Sequence, residues 1–249
     1  MSNKLTGKVA IVTGGTRGIG AAAARALADQ GADVAISYGK SAEQAEAVVR
    51  ELQAKGVRAA AFKADQADPS SAEELVKAVV ERFGRLDILV NNAGVTVFAP
   101  IDNPENNVAD FDRQLNINFN SPVAAIRAAI KVMGEGGRII SMGSGVGTRT
   151  GFSGLADYTA TKSAIAGYSR GAARDLAAKG ITINILQAGF VDTEMNPADG
   201  PFASHFNATT ALGRFARPEE IAAGIVFLAS PEASYVTGTV LNIDGGYGA

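Results

Sequence analysis

Short apolar runs alternate with helix-patterned stretches along this 249-residue chain, and that alternation constrains the fold more than any other feature. Val9–Val12, Val34–Ile36, Arg58–Lys63, Leu86–Val90, Ile181–Leu186 and Val240–Ile243 read as strands, with a further strand beginning at Arg138–Ile140. Between them, Ile19–Gln30, Ala42–Lys55, residues 107–133, Asp157–Lys179 and Pro218–Ala229 read as helices, closed at Gly31, Gly56 and Gly180 where glycines follow. Ser70 and Ser71 are placed to cap another helix running through Phe83, with Glu73 and Glu74 in its first turn. Pro122 is expected to bend the 107–133 helix. Leu86–Val90 is apolar almost throughout, as strands covered on both faces are. The pattern predicts an α/β chain: one doubly wound (Rossmann) domain over residues 1–249, with a mostly parallel seven-stranded sheet and helices on both faces. Asp192–Leu212 shows no period and contains Pro197, Gly200 and Pro201, so a substrate lid is expected at about residues 190–215.

Hydrophobic residues make up 47% of the chain and charged residues 19%, a soluble globular balance. The net charge is −2 and no basic run offers a surface to nucleic acid or anionic membrane. With no cysteine, disulfides, thiolate nucleophiles and cysteine-ligated metals are excluded. No stretch of about 18 uncharged apolar residues suggests a membrane span. The first residues carry no apolar secretory segment, so a cytoplasmic protein is expected. His205 is the only histidine; it lacks evident partners for catalysis or metal binding and is read as a lid or surface residue, with no metal site expected.

Thr13-Gly14-Gly15-Thr16-Arg17-Gly18-Ile19-Gly20 leaves the first strand and opens the first helix. The first glycine permits a tight turn, and the later ones let a pyrophosphate approach the backbone and helix pack on strand. The helix N-terminus then offers unpaired N–H groups to phosphates. Gly14, Thr16, Arg17, Gly18, Ile19 and Gly20 are therefore candidate cofactor-binding residues. The Gly-x-x-x-Gly-x-Gly spacing is weak alone; its place in the first strand–helix unit strengthens it. Electrostatics bears on which nucleotide binds. An acid after the second strand would bond ribose hydroxyls and repel a 2′-phosphate. Here the segment reads Ser37-Tyr38-Gly39-Lys40-Ser41, without an acid. Arg17 and Lys40 are placed to contact the phosphate, with Ser37 and Ser41 as hydrogen-bond donors, which favours NADP(H) over NAD(H).

Tyr158-Thr159-Ala160-Thr161-Lys162 puts Tyr158 and Lys162 four apart, on one helix face. An ammonium beside a phenol favours the phenolate, which suits tyrosine to proton exchange with an alcohol or ketone. Ser144 follows the fifth strand, at the end of a parallel sheet where sites form. Asn91-Asn92-Ala93-Gly94 follows the fourth strand. Asn118 lies within the apolar helix Leu115–Ile130, where a buried amide needs a partner.

TGGTRGIG, NNAG, the serine ahead of YTATK, and the closing YVTGTVLNIDGG together resemble the short-chain dehydrogenase/reductase family, over nearly the whole chain and in the family's order. The resemblance implies that Tyr158 donates the proton in reduction, that Lys162 binds the nicotinamide ribose and eases the tyrosine's deprotonation, and that Ser144 orients the carbonyl. It implies that Asn118 holds a water in a proton relay. Asp65 and Gln66 would lie by the adenine, Asn92, Ala93 and Gly94 would line the cofactor cleft, and Gly189, Val191 and Thr193 would meet the nicotinamide carboxamide. The nicotinamide carries the hydride chemistry. One departure is Ala188-Gly189, where the family usually has Pro-Gly. The resemblance also implies a homotetramer built on 107–133, 157–179 and the last strand.

The expected function is a reversible NADP(H)-dependent carbonyl reductase acting on a small-molecule ketone or alcohol. A 3-oxoacyl-[acyl-carrier-protein] reductase is the main alternative, and would need a basic patch near the site mouth, for which Arg127, Lys131, Arg170, Arg174 and Lys179 are the candidates. Sugar or polyol dehydrogenases are a further option with NAD(H). A non-catalytic NADP(H) sensor is the reading from another class; the intact tyrosine and lysine argue against it. Phe98, Phe152, Phe190, Phe202 and Phe206 suggest an apolar pocket.

Overall fold

The computed structural model describes residues 3–249. Its strands are β1 (Val9–Val12), β2 (Asp33–Tyr38), β3 (Ala59–Lys63), β4 (Ile88–Asn91), β5 (Arg138–Ser144), β6 (Thr182–Ala188) and β7 (Val240–Ile243). They form one seven-stranded sheet in the order β3-β2-β1-β4-β5-β6-β7, and every pairing is parallel. The helices are α1 (Gly18–Asp29), α2 (Ala42–Ala54), α3 (Ser71–Phe83), α4 (Val108–Leu115), α5 (Ser121–Ala129), α6 (Ala156–Leu176), α7 (Ala203–Ala208) and α8 (Pro218–Ala229). No helix among the described residues is long and apolar enough to cross a membrane.

The sheet needs cover on both faces because its central strands are apolar on both. Val9, Ala10, Ile11 and Val12 are all fully buried. Ala10 and Val12 join a core with α1, α2 and α8. Val9 and Ile11, on alternate positions, join the opposite core with α3, α5 and α6. The strand order reverses between β1 and β4, which opens a crevice at their carboxyl ends.

Four expectations are corrected. First, the 107–133 helix is not one bent rod: α4 and α5 are joined by a π-helical turn, Asn116–Asn120, in which the Ser121 N–H reaches the Asn116 carbonyl five residues back. The cause lies in Pro122, which has no N–H to offer the carbonyl of Asn118 four residues before it. Second, Ser70 and Ser71 do not cap α3. Ser70 has helical dihedrals and its Oγ donates to Asp68, while Ser71 Oγ donates to the carbonyls of Asp65 and Asp68. Third, Ser144 is the last residue of β5 rather than a loop residue, and β6 continues to Ala188, with Ser144 paired to Ala188 and Ala188 to Ile243. An alanine there keeps the N–H that proline would remove. Fourth, the 190–215 segment contains α7, held by its own aromatic side chains.

At the opposite, amino-terminal ends of the central strands, Asp87 closes the start of β1 and β4. Its carboxylate accepts the Val9 N–H at 2.9 Å and two bonds from Arg85, and pairs with Lys8. Burial opposes its ionisation, but the Arg85 and Val9 hydrogen bonds and the Lys8 and Arg85 charges outweigh that and hold the carboxyl below its ordinary range. A lowered folded-state pKa gives stability that is present above the unfolded carboxylate range and lost as pH falls through the folded value. Asp87→Asn is expected to lower Tm near neutrality by about 2–8 °C, the shift produced by losing 1–2 kcal/mol in a domain this size. The gap to the parent should narrow progressively in thermal melts taken below about pH 4, where the unfolded carboxyl begins to protonate. A gap that shows no narrowing as the pH falls below the ordinary carboxylate range would contradict the assignment.

Candidate active site

The glycine turn between β1 and α1 is shaped by what cannot fit there. Gly14 and Gly18 have positive φ, 64° and 50°. A Cβ on Gly15 would lie 2.6 Å from Ile36, and one on Gly20 would strike the Gly14 carbonyl and the Asn92 amide. The turn is fastened from below. Ser37 is fully buried, and its Oγ accepts the Gly14 N–H at 3.4 Å. Thr13 Oγ1 accepts the N–H groups of Asn92 and Ala93, and Asn92 Nδ2 donates to the carbonyls of Thr13 and Gly14. Ser37 and Asn92 thus build the cradle rather than face into it. Tyr38 is half-buried, Lys40 is exposed beyond the end of β2, and Ser41 precedes α2. Asp65 and Gln66 follow β3, and Ser121 Oγ donates to the Gln66 carbonyl.

The second half of the site lies at the carboxyl ends of β4, β5 and β6. On α6, Thr161, Lys162, Ile165, Ala166 and Ser169 form the buried stripe. Lys162 is only 7% exposed, and its Nζ donates to the Met142 carbonyl on β5 at 2.9 Å. The same ammonium stands 5.6 Å from the centroid of the Tyr158 ring, one turn earlier. Among the described residues, no carboxylate pairs with it within ion-pair distance. A buried ammonium has three donors and no acceptor; here the protein takes one of them.

Asn118 sits in the π-helical turn and is 3% exposed. Its Oδ1 accepts the Val95 N–H at 3.0 Å, and its Nδ2 donates to the Val95 carbonyl and to Thr161 Oγ1. Thr161 Oγ1 donates to the Tyr158 carbonyl at 2.8 Å. This amide therefore clamps the segment after β4 to the helix that carries Tyr158 and Lys162. A Cβ on Gly94 would lie 3.4 Å from Asn118 Oδ1 and 3.7 Å from Lys162 Nζ, so Gly94, Asn118 and Lys162 surround one space. Ser144 ends β5 and is partly open.

The third side is the 190–215 segment. Val191 is buried and bridges to Ala216. Gly189 packs on the backbone of Asp244, where a Cβ would lie 2.7 Å away. A Cβ on Gly18 would lie 3.1 Å from Thr193 Cγ2, so this segment rests on the glycine turn. Arg17, at the start of α1, donates to Glu194 at 3.0 Å; both side chains are more than half exposed. Phe152, Phe190 and Phe206 meet in edge and stacked contacts, joined by Phe202, Phe215, Tyr247 and His205. His205 is exposed on α7, edge-on to Phe152 at 5.2 Å. Phe98 is 62% exposed and lies beside Gly154.

Three participants escape a reading of the sequence. Glu194 pairs with a residue 177 positions away. Gln114, fully buried on α4, accepts the Val97 N–H at 2.6 Å. Tyr247 is bound to a loop almost a hundred residues earlier; its one signal is an aromatic residue set among glycines. Of the residues named for a carrier-docking patch, Arg170 and Arg174 lie on α6 and Lys179 just after it. α6 starts beside the site and runs away from it, so at about 1.5 Å per residue Arg170, Arg174 and Lys179 fall roughly 18 to 32 Å beyond Tyr158. Arg127 lies in the last turn of α5, and Lys131, just after that helix, is paired with Glu73.

The sequence profile of a family described as enoyl-(acyl carrier protein) reductase matches residues 14–248. The chain is 43% identical to the cyclic-di-GMP-binding biofilm dispersal mediator protein of Escherichia coli, over 98% of each chain. It is 38% identical to a 3-oxoacyl-[acyl-carrier-protein] reductase of Staphylococcus aureus, over 96% of this chain and 97% of that one. A solved short-chain dehydrogenase of Burkholderia cenocepacia in complex with NADP superposes with a TM-score of 0.97 at 47% identity, covering 99% of this chain and 100% of that one. With this fold, these motifs and this coverage, the chain belongs to the short-chain dehydrogenase/reductase family of oxidoreductases.

Proposed function

We propose that the protein is an NADP(H)-dependent carbonyl reductase in which Tyr158 is the proton donor to a small-molecule ketone. The observation that carries this reading is Lys162: a buried ammonium with a single protein acceptor, lying over the face of the tyrosine ring. An unpaired buried charge is costly, and a site that spends free donors in this way is built to meet a ligand.

The cradle fits a dinucleotide. The Gly15 and Gly20 positions exclude side chains, and α1 begins with free N–H groups that suit a pyrophosphate. Gly14, Thr16, Gly18 and Ile19 would line the phosphates, Gly94 and Lys162 the nicotinamide ribose, and Gly189, Val191 and Thr193 the carboxamide. Asp65 and Gln66 would flank the adenine. Lys40 and Ser41 stand where a 2′-phosphate would lie, and no acid stands there to repel it. The Burkholderia relative solved with NADP supports the same choice. Arg17 would add a second charge by exchanging Glu194 for the phosphate.

When bound, the nicotinamide supplies the hydride. Ser144 Oγ donates to the carbonyl oxygen and orients it. Tyr158 Oη gives that oxygen its proton, and the Lys162 ammonium stabilises the phenolate left behind. The Asn118 carbonyl, deprived of its helical donor by Pro122, is the acceptor for a water that returns a proton from solvent. The Asn118 side chain holds this arrangement without entering the chemistry. The aromatic wall favours apolar ketones, and the far placement of Arg170, Arg174 and Lys179 removes one support for an acidic carrier protein, although the Staphylococcus relative keeps that substrate as an arm of the test. The Escherichia relative's description supports a second, non-catalytic reading: a cofactor-loaded cyclic-dinucleotide binder. A cytoplasmic homotetramer, joined through α4–α5, α6 and β7, completes the proposal.

Steady-state assays should show Tyr158→Phe losing about 10²–10⁴-fold in kcat, the usual contribution of a positioned acid, with NADPH affinity within about twofold of the parent. Full activity in that variant would end the mechanism. NADPH binding to the parent without turnover of any ketone or 3-oxoacyl thioester, combined with saturable binding of cyclic-di-GMP, would favour the second reading.

The Arg17–Glu194 pair gives a titration test. Arg17→Ala should weaken NADPH more than NADH. Glu194→Gln should tighten NADPH by up to about fivefold, the range of an exposed ion pair, and leave NADH nearly unchanged. Equal effects on both nucleotides would remove Arg17 from 2′-phosphate binding.

A further inference from the structure

Tyr247 lies in the turn after β7, directly after the closing YVTGTVLNIDGG, and is 1% exposed. Its hydroxyl is used twice. Tyr247 Oη donates to the Arg149 carbonyl at 2.9 Å and accepts the Gly151 N–H at 3.1 Å. Arg149 returns the contact: its Nη1 donates to the Tyr247 carbonyl at 2.6 Å, and its guanidinium lies 5.4 Å over the tyrosine ring. The ring also fills the space at Gly145, where a Cβ would lie 2.7 Å from Cδ1. One side chain therefore fixes both ends of residues 145–151, the loop that leaves β5 directly after Ser144.

The turn holding Tyr247 is itself built to stay in place. The Asp244 carboxylate accepts the N–H groups of Gly246 and Gly248, each at 3.0 Å. Gly189 packs on the Asp244 backbone, and the Leu212 N–H donates to the Gly245 carbonyl at 3.0 Å. The turn thus touches the ends of β5 and β6 and the end of the 190–215 segment together. In the other direction, Tyr247 joins Val146 and Leu155 in a small core against which Phe152, Tyr158 and Phe190 pack.

We infer that Tyr247 is a positioning residue for carbonyl reduction: its hydroxyl anchors the 145–151 loop so that Ser144 presents Oγ to the substrate beside Tyr158. The inference rests on the proposed roles of Ser144 and Tyr158. A loop tied by two hydrogen bonds to a buried hydroxyl has little freedom, and small misplacements of a catalytic group cost rate steeply. The two hydroxyl bonds go to Arg149 and Gly151, and neither the cradle at β1 and α1 nor Gly189 takes part in them, so losing the hydroxyl acts on turnover and not on nucleotide binding.

The test compares Tyr247→Phe, which keeps the ring and removes both hydroxyl bonds, with Val48→Ala, a core change in α2 remote from the loop. Tyr247→Phe should lower kcat by about 10- to 100-fold, with NADPH affinity within about twofold. Val48→Ala should lower Tm at least as much and leave kcat unchanged. Amide hydrogen exchange, which needs no substrate, should rise at Gly151 and its loop neighbours in Tyr247→Phe while β1 and α1 keep their protection. Parental kcat in Tyr247→Phe, or loss of rate matched by equal loss of NADPH affinity, would overturn the inference. So would unchanged exchange in the loop, even in a protein that reduces no carbonyl. Absence of turnover in the parent would instead refute the proposed reaction, and exchange would still decide the anchor.

Discussion

Burying a lysine ammonium without a carboxylate costs a protein several kcal/mol unless something else repays it. Lys162 accepts this position because α6 drives it there. The helix must bury the Thr161–Ile165–Ser169 stripe against β5 and β6, and Lys162 belongs to that stripe. Its one protein partner, the Met142 carbonyl, comes from the interior of β5. The rest of the site can be understood as what keeps this charge in a defined place with donors to spare. Asn118 ties α6 to the segment after β4. Gly94 and Gly147 leave room beside the lysine, where a Cβ would lie 3.7 Å from its Nζ or 3.3 Å from its Cβ.

The same logic links the two halves of the crevice. Asn92 and Thr13 lock the end of β4 to the end of β1, and β4 also pairs with β5, which holds the lysine, so the cradle and the lysine are fixed on one sheet. The 190–215 segment meets the cradle at Thr193 and through the exposed Arg17–Glu194 pair. A surface ion pair of this kind is weak enough to exchange for a phosphate. The sheet therefore carries the fixed geometry, and the segment after β6 carries the adjustable contacts, including most of the aromatic wall.

Much of this was legible in the sequence because it is local. β1, β7 and α8 have the boundaries expected from their apolar runs and from Pro218, and the Tyr158–Lys162 spacing places both residues on one face of a real helix. The glycine turn was legible through its steric demand. What escaped depends on distant partners or on a change of helical period. The π turn at 116–120 has no repeat to detect; only Pro122 hints at it, and a proline alone predicts a bend. Ser37 looked like a ligand donor because sequence gives no depth, and it is buried beneath the turn it supports. Ser70 and Ser71 looked like caps, but Asp68 and the carbonyls of Asp65 and Asp68 compete for their hydroxyls. Tyr247 and Glu194 are defined wholly by residues far away in the chain.

The most direct test of the account follows the label rather than the rate. The protein would be incubated with an apolar aryl ketone and NADPH deuterated on the transferable face of the nicotinamide, and the alcohol analysed by mass spectrometry and NMR. Hydride transfer with Tyr158 as acid predicts deuterium at the carbinol carbon and a hydroxyl proton drawn from solvent. Cofactor that binds but gives no labelled alcohol, across ketones and a 3-oxoacyl thioester alike, would contradict the account and leave the fold holding its nucleotide for another purpose.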